Sequence, residues 1–333
     1  MTDIVATTPG LYPVPDWAKD DLSDLKGHQK GDLISGDEGP EIEGVYDRAR
    51  EEVIDLQTEA GLDRIVEGQL RWDDMLAHPL AVHDNVETRG IVRYYDNNNF
   101  YREPVVTGDL GADGGDVASE LSTAADLVDG DDLQAVLPGP YSLAELATDE
   151  HYGDEGDFLD AVTAFLTEEV NSFPEVQTLL LLEPSLVTDA PDEGQDEHVS
   201  EAVDVVATAA DAEVVVQTYW GALEEKVHAH LLDADVDAVG YDFVTDHEQN
   251  LYNINEYGTK DDIALGLVDG QNTLVETPAE IRERIDWVDD NTTNDFETVY
   301  ATANTELFYL PDNKFQAKLE ALAEAADLEE VEA

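Results

Sequence analysis

Eight short runs of apolar and β-branched residues recur along the chain, and an amphipathic segment or a longer excursion follows each of them. Continuous apolar strands indicate a parallel sheet that is covered on both faces. Eight repeats of strand then helix favour a closed (β/α)8 TIM barrel over an open doubly wound sheet. No G-x-G-x-x-G motif follows the first run, which argues against a dinucleotide-binding fold. The runs occupy residues 4–8, 62–68, 133–140, 178–184, 213–220, 237–243, 263–270 and 297–304.

The length of 333 residues suits one barrel with insertions. We therefore expect an α/β fold with a single barrel domain over residues 1–333. An insertion of about residues 90–107 separates the second and third strands, and residues 327–333 form a frayed acidic tail.

The net charge of -63 comes from 79 acidic and 16 basic residues, while 42% of the chain is hydrophobic. That hydrophobic share excludes an acidic disordered chain, so the acidity belongs to the surface and suggests adaptation to molar salt. Nucleic acid and anionic membranes are unsuitable partners because both require basic patches. The absence of cysteine excludes disulfides and thiolate ligands. With no leader or apolar span in the sequence, we expect a cytoplasmic protein.

Polar residues gather where the apolar runs end, which is the face on which barrels of this kind carry their active sites. Turn-forming residues are common at strand ends, so each one alone has a structural explanation. The coincidence on one face predicts a site there. The residues concerned are Glu67, Glu183, Gln217, Thr218, Tyr219, Asp242, Asp269, Asn304 and Thr305.

The segment GIVRYYDNNNFYREP, residues 90–104, combines two arginines with four aromatic rings in a chain that is poor in bases. It reads as a β-hairpin with Arg93 and Arg102 on its two arms and Asp96 in the turn. Such a hairpin could hold a flat anionic ligand by stacking and by paired hydrogen bonds from arginine. The alternative is that these arginines, with Arg64, Arg71 and Arg89, pair with neighbouring carboxylates on the surface.

Six segments, in the same order and spacing, resemble the cobalamin-independent methionine synthase family. They are TTPGLYPVPDW, EAGLDRIVEGQLRWD, VLPGPYSLAEL, LLLLEPSLV, LGLVDGQNTLVE and ANTELFYLP. The resemblance implies a barrel that takes part in methionine biosynthesis, where a methyl group passes from a methyltetrahydrofolate-type donor to homocysteine.

Full-length members of that family have two barrels, and the C-terminal barrel holds zinc through one histidine, two cysteines and a glutamate. At those positions this chain has Gln217, Tyr219, Asp242 and Thr305. The resemblance is therefore to the N-terminal barrel, and it implies no metal site in this chain and a separate C-terminal-type barrel that carries zinc. It also implies that Arg93 binds the donor where the family has lysine, and that Lys19 and Asp96 lie near the donor. Glu183, Tyr219, Asp242 and Asp269 complete the expected substrate-binding set.

Three other interpretations remain open at this stage. The chain could be an autonomous methyltransferase whose metal is held by Glu183, Asp242 and His247. It could instead be a non-catalytic barrel that binds a pterin or another anion. A relative of uroporphyrinogen decarboxylase would need several basic residues around its cavity, and residues 103–225 contain no lysine or arginine. We expect His228 and His230 to be surface histidines, since residues two apart on a helix point to different faces.

Overall fold

The computed structural model describes residues 2–23, 29, 38–94, 100–112, 115–128, 132–192 and 194–328. Its strands form one eight-stranded sheet and one three-stranded sheet. In chain order the strands are β1 (Asp3–Ala6), β2 (Ile65–Val66), β3 (Val86–Arg93), β4 (Phe100–Val106), β5 (Leu133–Pro138), β6 (Thr148–Asp149), β7 (Thr178–Leu182), β8 (Glu213–Gln217), β9 (Ala238–Asp242), β10 (Asp262–Val268) and β11 (Thr298–Ala303).

The larger sheet is the barrel, and its strands run in the order β1-β11-β10-β9-β8-β7-β5-β2 with parallel pairing. Its edge strands, β1 and β2, meet through hydrogen bonds from the backbone N–H groups of Asp63 and Arg64 to the carbonyl of Ala6, at 3.0 and 3.3 Å. The eight strands predicted from the apolar runs are confirmed. Their runs are continuous because the interior of the barrel buries one face of each strand and the helices bury the other.

The helices cover the outside of the barrel. They are α1 (Asp16–Ser23), α2 (Pro40–Ala60), α3 (His78–Ala81), α4 (Asp116–Ala125), α5 (Pro140–Glu145), α6 (Glu155–Val170), α7 (Ser185–Thr188), α8 (Asp196–Ala209), α9 (Glu225–Leu231), α10 (His247–Tyr257), α11 (Pro278–Asn291) and α12 (Asp312–Ala326). Helix α11 starts with the capping box that its sequence predicts: Thr277 accepts from the backbone of Glu280, and Glu280 accepts from the backbone of Thr277. Within the described part of the chain, no helix is both long and apolar enough to cross a membrane.

The second sheet lies between β2 and β5 in the sequence. Strands β3 and β4 form an antiparallel hairpin, in which Arg93 lies opposite Phe100 and Ile91 lies opposite Arg102. Strand β6 extends this sheet from the segment after α5, so the hairpin is attached to the body of the protein along β4.

A polar group closes the amino-terminal end of the barrel. The Nε of Arg64 donates to the Thr178 hydroxyl at 3.0 Å, and its Nη2 lies 3.4 Å from a carboxylate oxygen of Glu213. The Tyr300 hydroxyl donates to the same oxygen at 2.7 Å. Arg64 therefore lies at the end of the barrel opposite the predicted site, where it pairs with Glu213 as the surface-pairing interpretation predicts.

Candidate functional site

The carboxyl ends of the barrel strands carry a layer of buried polar side chains, which we call the rim. Each of its members is at most 3% exposed, although all are polar or charged. Buried polar groups need partners, so the bonds of this layer show which groups support the fold and which are available to a ligand. The members are Glu67, Glu183, Gln217, Thr218, Asp242, Asn304, Thr305 and Glu306.

The carboxylate of Glu183 accepts hydrogen bonds from the start of α5. Its Oε1 accepts from the backbone of Tyr141 at 3.0 Å, and its Oε2 accepts from the backbone and hydroxyl of Ser142 at 2.8 and 2.6 Å. Burial raises the pKa of this carboxyl to about 7, against the opposing effect of the Ser142 hydrogen bonds. A Cβ at Gly139 would stand 2.2 Å from the Glu183 carboxyl group, which explains a glycine at that turn. Glu183 therefore caps a helix.

Asp242 joins three loops of the rim. Its Oδ2 accepts from the backbone of Trp220 at 2.9 Å, and its Oδ1 accepts from the side chain of Asn304 at 3.1 Å. The backbone N–H groups of Val244 and Thr245 also donate to Oδ1, at 3.0 and 2.8 Å. With four donors on its two oxygens, Asp242 is held as an orienting group in the rim.

Four buried oxygens near the rim have no hydrogen-bond partner among the described residues. Two belong to carboxylates, one to an amide and one to a hydroxyl, and each parent side chain is at most 2% exposed. Unpaired buried acceptors of this kind mark places where a water molecule or a ligand atom completes the bonding. The atoms are Glu67 Oε2, Gln217 Oε1, Thr302 Oγ1 and Glu306 Oε2.

The two carboxyl groups of that set have shifted acidities. Burial, aided by the charge of Glu120, raises the pKa of Glu67 to about 8, although Arg50 acts in the opposite direction. Burial also raises the pKa of Glu306 to about 7, against a hydrogen bond from Gln271. Both groups can exchange a proton near neutral pH, and perturbed carboxyls in a polar recess are typical of functional sites.

Backbone strain is concentrated in the loops of the same face. Leu11, Gln69 and Trp220 have positive φ angles of 50°, 48° and 69°. The first two lie in the loops after β1 and β2, and Trp220 follows β8. The Gln69 side chain accepts from the backbone of Leu11 at 2.7 Å, so the strained loops hold each other. Side chains rarely adopt this conformation without compensation, and such strain clusters at functional sites.

The arm β3 carries Arg93 at its exposed end. The outer face of the hairpin also exposes Ile91 and Phe100, with 66% and 56% of their surface accessible. On the inner side Tyr94 is fully buried, and its hydroxyl donates to Asp74 while its ring lies 4.3 Å from that of Tyr101. Asp96, the predicted ligand in the turn, lies outside the described residues.

Three of the other arginines in this part of the sequence are paired with carboxylates. Arg71 binds Glu38, Asp116 and Glu120, and it lies partly buried among them. On the hairpin, Arg89 binds Glu150 at 2.6 Å and Arg102 binds Asp73 at 2.9 Å. The surface-pairing interpretation therefore holds for these three side chains.

The remaining predicted site residues are spread over the carboxyl-terminal face and its edge. Lys19 lies exposed on α1 and pairs with Asp16 at 3.2 Å. Tyr219 is buried against the edge of Trp220, with ring centroids 4.8 Å apart. Asp269 follows β10, is partly exposed, and accepts from the backbone of Gln271 at 3.0 Å. The structure thus brings Tyr219 and Asp242 together and leaves Lys19 outside the rim.

The rim residues do not suit zinc. Gln217 and Thr305 offer an amide and a hydroxyl in place of imidazole and thiolate, and backbone donors already occupy the oxygens of Asp242. The alternative metal ligands, Glu183, Asp242 and His247, are not gathered in one place either. His247 is exposed at the start of α10, and the centroid of its ring lies 5.6 Å from that of Trp287. Across the described ranges, no group of three or more histidine, cysteine, aspartate or glutamate side chains is arranged to hold a metal.

Two features of the site were missed by the sequence analysis. Glu306 follows Asn304 and Thr305 directly, and its place after a predicted strand was a signal that could have drawn attention to it. Asp74 lies eight residues after the end of β2, and nothing in its sequence context indicates that it binds Tyr94 of the hairpin. Outside the rim, His228 is fully buried and binds Tyr241 at 2.8 Å, so its prediction as a surface residue is wrong.

Comparisons with known proteins agree with this fold. Residues 82–292 match the family model of the cobalamin-independent synthase, N-terminal domain. A methionine synthase of Saccharolobus islandicus is 24% identical over 284 residues, which cover 84% of this chain and 81% of that protein. A methionine synthase of Sulfolobus acidocaldarius is 22% identical over 289 residues, covering 85% and 80%.

Two solved structures share the fold. A B12-independent methionine synthase from Shewanella sp. W3-18-1, in complex with selenomethionine, superposes with a TM-score of 0.78 at 16% identity and covers 97% of this chain and 96% of that one. A putative vitamin-B12-independent methionine synthase from Listeria monocytogenes gives a TM-score of 0.73 at 16% identity, with 98% of each chain covered. At this level of identity the likeness concerns the barrel itself.

Proposed function

The chain belongs to the cobalamin-independent methionine synthase family through its N-terminal-domain type, and we propose that it is the methyl-donor-binding component of such a synthase. The reaction is transfer of a methyl group from a 5-methyltetrahydrofolate-type donor to homocysteine. The relatives in Saccharolobus and Sulfolobus, which are named methionine synthases, support this assignment. The proposal places the protein in cytoplasmic amino-acid biosynthesis.

One observation supports the proposal beyond the family match. The rim lies on the face where barrels carry their active sites, but its described side chains do not suit the zinc ion that would activate a thiol. A bound zinc ion lowers the pKa of a coordinated thiol and so supplies the thiolate nucleophile. Here the corresponding positions are Gln217, Asp242 and Thr305, which are unsuitable for zinc. We therefore assign thiol activation to a separate, zinc-bearing barrel of the C-terminal type.

The part assigned to this chain is to hold and orient the methyl donor. Arg93 is exposed at the end of β3 and is suited to the carboxylates of a folate tail, because guanidinium and carboxylate form paired hydrogen bonds. Asp96 and Lys19 belong to the same proposed donor surface. Tyr219 and Asp269 are assigned to the wall of the groove, whereas Glu183 and Asp242 act by positioning its loops.

Reconstitution tests the proposal. The purified chain, treated with a chelator, is assayed for methionine formation from 5-methyltetrahydropteroyltriglutamate and homocysteine, alone and with a zinc-bearing C-terminal-type barrel. We expect product only in the mixture. Binding of the donor to the chain alone, measured by calorimetry, is the second readout, and absence of donor binding would remove the role proposed for this chain.

A further inference from the structure

A β-bulge divides the hairpin of β3 and β4 into two halves, and Arg93 lies in the half farther from the barrel. Two residues of β3, Arg89 and Gly90, lie opposite a single residue of β4, Glu103. Such a bulge bends the strand and changes the direction of the side chains beyond it. The part beyond the bulge, which we call the distal half, comprises residues 91–94 and 100–102.

The two halves are attached to the body of the protein in different ways. The half nearer the barrel is attached through backbone pairing, since Val105 of β4 pairs with Thr148 of β6. The distal half is attached through side chains that meet two consecutive aspartates, Asp73 and Asp74, in the loop after β2. The position of the distal half therefore depends on side-chain contacts with that loop.

Both arms of the distal half contact the aspartates. On the β4 arm, the Nε of Arg102 donates to Asp73 at 2.9 Å. At the end of the β3 arm, the Tyr94 hydroxyl donates to Oδ1 of Asp74 and accepts from the backbone N–H of Leu76 at 3.2 Å. The first pair is partly exposed, whereas Tyr94 is fully buried and Asp74 is 5% exposed. A hydrogen bond to a buried carboxylate is stronger than an ion pair at the surface, so Asp74 holds the hairpin more firmly than Asp73 does.

The loop that carries the aspartates is itself anchored along its length. At its beginning, the Gln69 side chain accepts from the backbone of Leu11 at 2.7 Å. In its middle, Arg71 pairs with Asp116 of α4 at 2.8 Å. At its end, the imidazole of His78 lies 2.9 Å from the other carboxylate oxygen of Asp116. These three contacts make the loop a fixed support for the hairpin.

Arg93 and Tyr94 are adjacent, and their side chains have opposite environments. Arg93 is exposed, whereas Tyr94 is fully buried. Neighbouring side chains of an extended strand point to opposite faces, so the burial of one directs the other outward. The contact that fixes Tyr94 against Asp74 therefore sets the direction of Arg93 as well.

We propose that Asp74 is a positioning residue, which holds Tyr94 and thereby orients Arg93 towards the glutamate tail of the methyl donor. The inference rests on the proposed function, in which Arg93 binds the carboxylates of that tail. Asp74 acts through Tyr94 and does not contact the donor. Affinity for the tail thus depends on a hydrogen bond on the buried side of the hairpin, and affinity for the rest of the donor does not.

Calorimetric titration of the full chain in molar sodium chloride with two ligands tests this role. 5-Methyltetrahydropteroyltriglutamate has the glutamate tail, and 5-methyltetrahydropteroate lacks it. Tyr94→Phe removes only the hydroxyl and leaves two backbone N–H donors on Asp74, so the variant should fold. It should weaken binding of the triglutamate about fivefold and leave binding of the pteroate unchanged. In an Arg93→Ala background, Tyr94→Phe should have no further effect, because the contact with the tail is already lost.

Two further variants serve as controls. Asp74→Asn keeps an acceptor oxygen for the Tyr94 hydroxyl and should lose less affinity for the triglutamate than Tyr94→Phe does. Tyr241→Phe removes a buried phenol hydroxyl outside the hairpin and should bind both ligands as the wild type does. Unchanged affinity of Tyr94→Phe for the triglutamate would overturn the inference. An equal loss for both ligands, or the same loss in the Arg93→Ala background, would show a purely structural role and overturn it too.

Hydrogen exchange of the hairpin, measured by mass spectrometry without donor, separates this inference from the proposed function. The amides of residues 86–94 and 100–106 should exchange faster in Tyr94→Phe than in the wild type and in Tyr241→Phe. Unchanged exchange would overturn the inference even if the wild type binds the donor. Faster exchange in a protein whose wild type does not bind the triglutamate would instead overturn the proposed function and leave the hold of Asp74 on the hairpin in place.

Discussion

The carboxylate of Glu183 accepts two hydrogen bonds from Ser142, one from its backbone N–H at 2.8 Å and one from its hydroxyl at 2.6 Å. Glu183 lies at the end of a strand, where a catalytic acid could be expected, but its carboxylate is bound to the first turn of α5. The same relationship shows how this face is built: some of its acids hold loops in place, and others keep an oxygen without a hydrogen-bond partner in the described part of the chain.

Replacing Glu183 with alanine should destabilise the protein by about 2–4 kcal/mol, because buried N–H donors at the start of α5 lose their acceptor. Denaturant unfolding in molar salt measures the change. Ser142→Ala removes only the hydroxyl donor and should cost about 1 kcal/mol. A Glu183→Ala variant as stable as the wild type would show that the carboxylate does not support the helix.

Arg50 and Glu67 should respond unequally to substitution. Their closest atoms, Arg50 Nε and Glu67 Oε2, lie 3.8 Å apart, and Arg50 also binds Glu120. Arg50→Met should cost about 3–5 kcal/mol, since it leaves buried carboxylates without their cation. Glu67→Gln should change the free energy of unfolding little, because it removes a charge that burial already disfavours. Unfolding free energies of the two variants and of the double variant give the comparison, and equal losses would contradict it.

His228 should make stability depend on pH in a defined direction. Burial lowers the pKa of its imidazole to about 4, whereas an unfolded histidine titrates near about 6.5. Between these two pKa values the unfolded chain binds more protons than the folded chain. The stabilisation associated with neutral, buried His228 is therefore fully present above the unfolded pKa. It is lost as the pH falls towards the folded pKa, by up to about 3 kcal/mol.

Unfolding of the wild type and of His228→Gln, measured on both sides of that window, isolates this contribution from that of the carboxylates. The variant should lose less stability on acidification than the wild type does. His247→Gln, at an exposed position, should behave as the wild type. Parallel pH profiles for the wild type and His228→Gln would show that the buried imidazole is not the cause.

Arg93 should contribute to donor binding without supporting the fold. Arg93→Ala should weaken binding of 5-methyltetrahydropteroyltriglutamate about tenfold, because the tail carboxylates lose a charged hydrogen-bonding partner. Arg89→Ala is the matched control, since it removes a second exposed arginine from the same arm. Calorimetry gives the affinities and thermal unfolding checks the fold; unchanged affinity of Arg93→Ala would exclude this residue from the donor site.

The barrel could be predicted from sequence because its parallel strands are buried on both faces and therefore read as continuous apolar runs, such as TLLLL at β7. Helix α10 has a weak sequence signal, because HEQNLYNINEY is largely polar and buries only Asn250, Asn253 and Ile254. His228 was misplaced for a related reason. His230 is more exposed than His228 on the same helix. His228 is buried by contact with Tyr241 on strand β9, which its own sequence context does not indicate.

The site was harder to predict than the fold. Sequence position places Glu183, Asp242 and Glu306 at the same face, but it does not tell which carboxylate oxygens meet backbone donors. That distinction depends on the loops after β5, β8 and β11, whose conformations arise from contacts between distant segments. The hydrogen bond from the Tyr94 hydroxyl to Asp74 is of this kind, since it joins the hairpin to the loop after β2.

Methyl transfer by the chelator-treated chain, alone and with a zinc-bearing C-terminal-type barrel, tests whether this chain binds the donor while the other barrel activates the thiol. Methionine is measured after mixing with homocysteine and 5-methyltetrahydropteroyltriglutamate, and metal content is determined on the same samples. We expect no methionine from this chain alone and formation of methionine when the zinc-bearing barrel is added. Transfer by the metal-stripped chain alone, at the rate of the mixture, would contradict it.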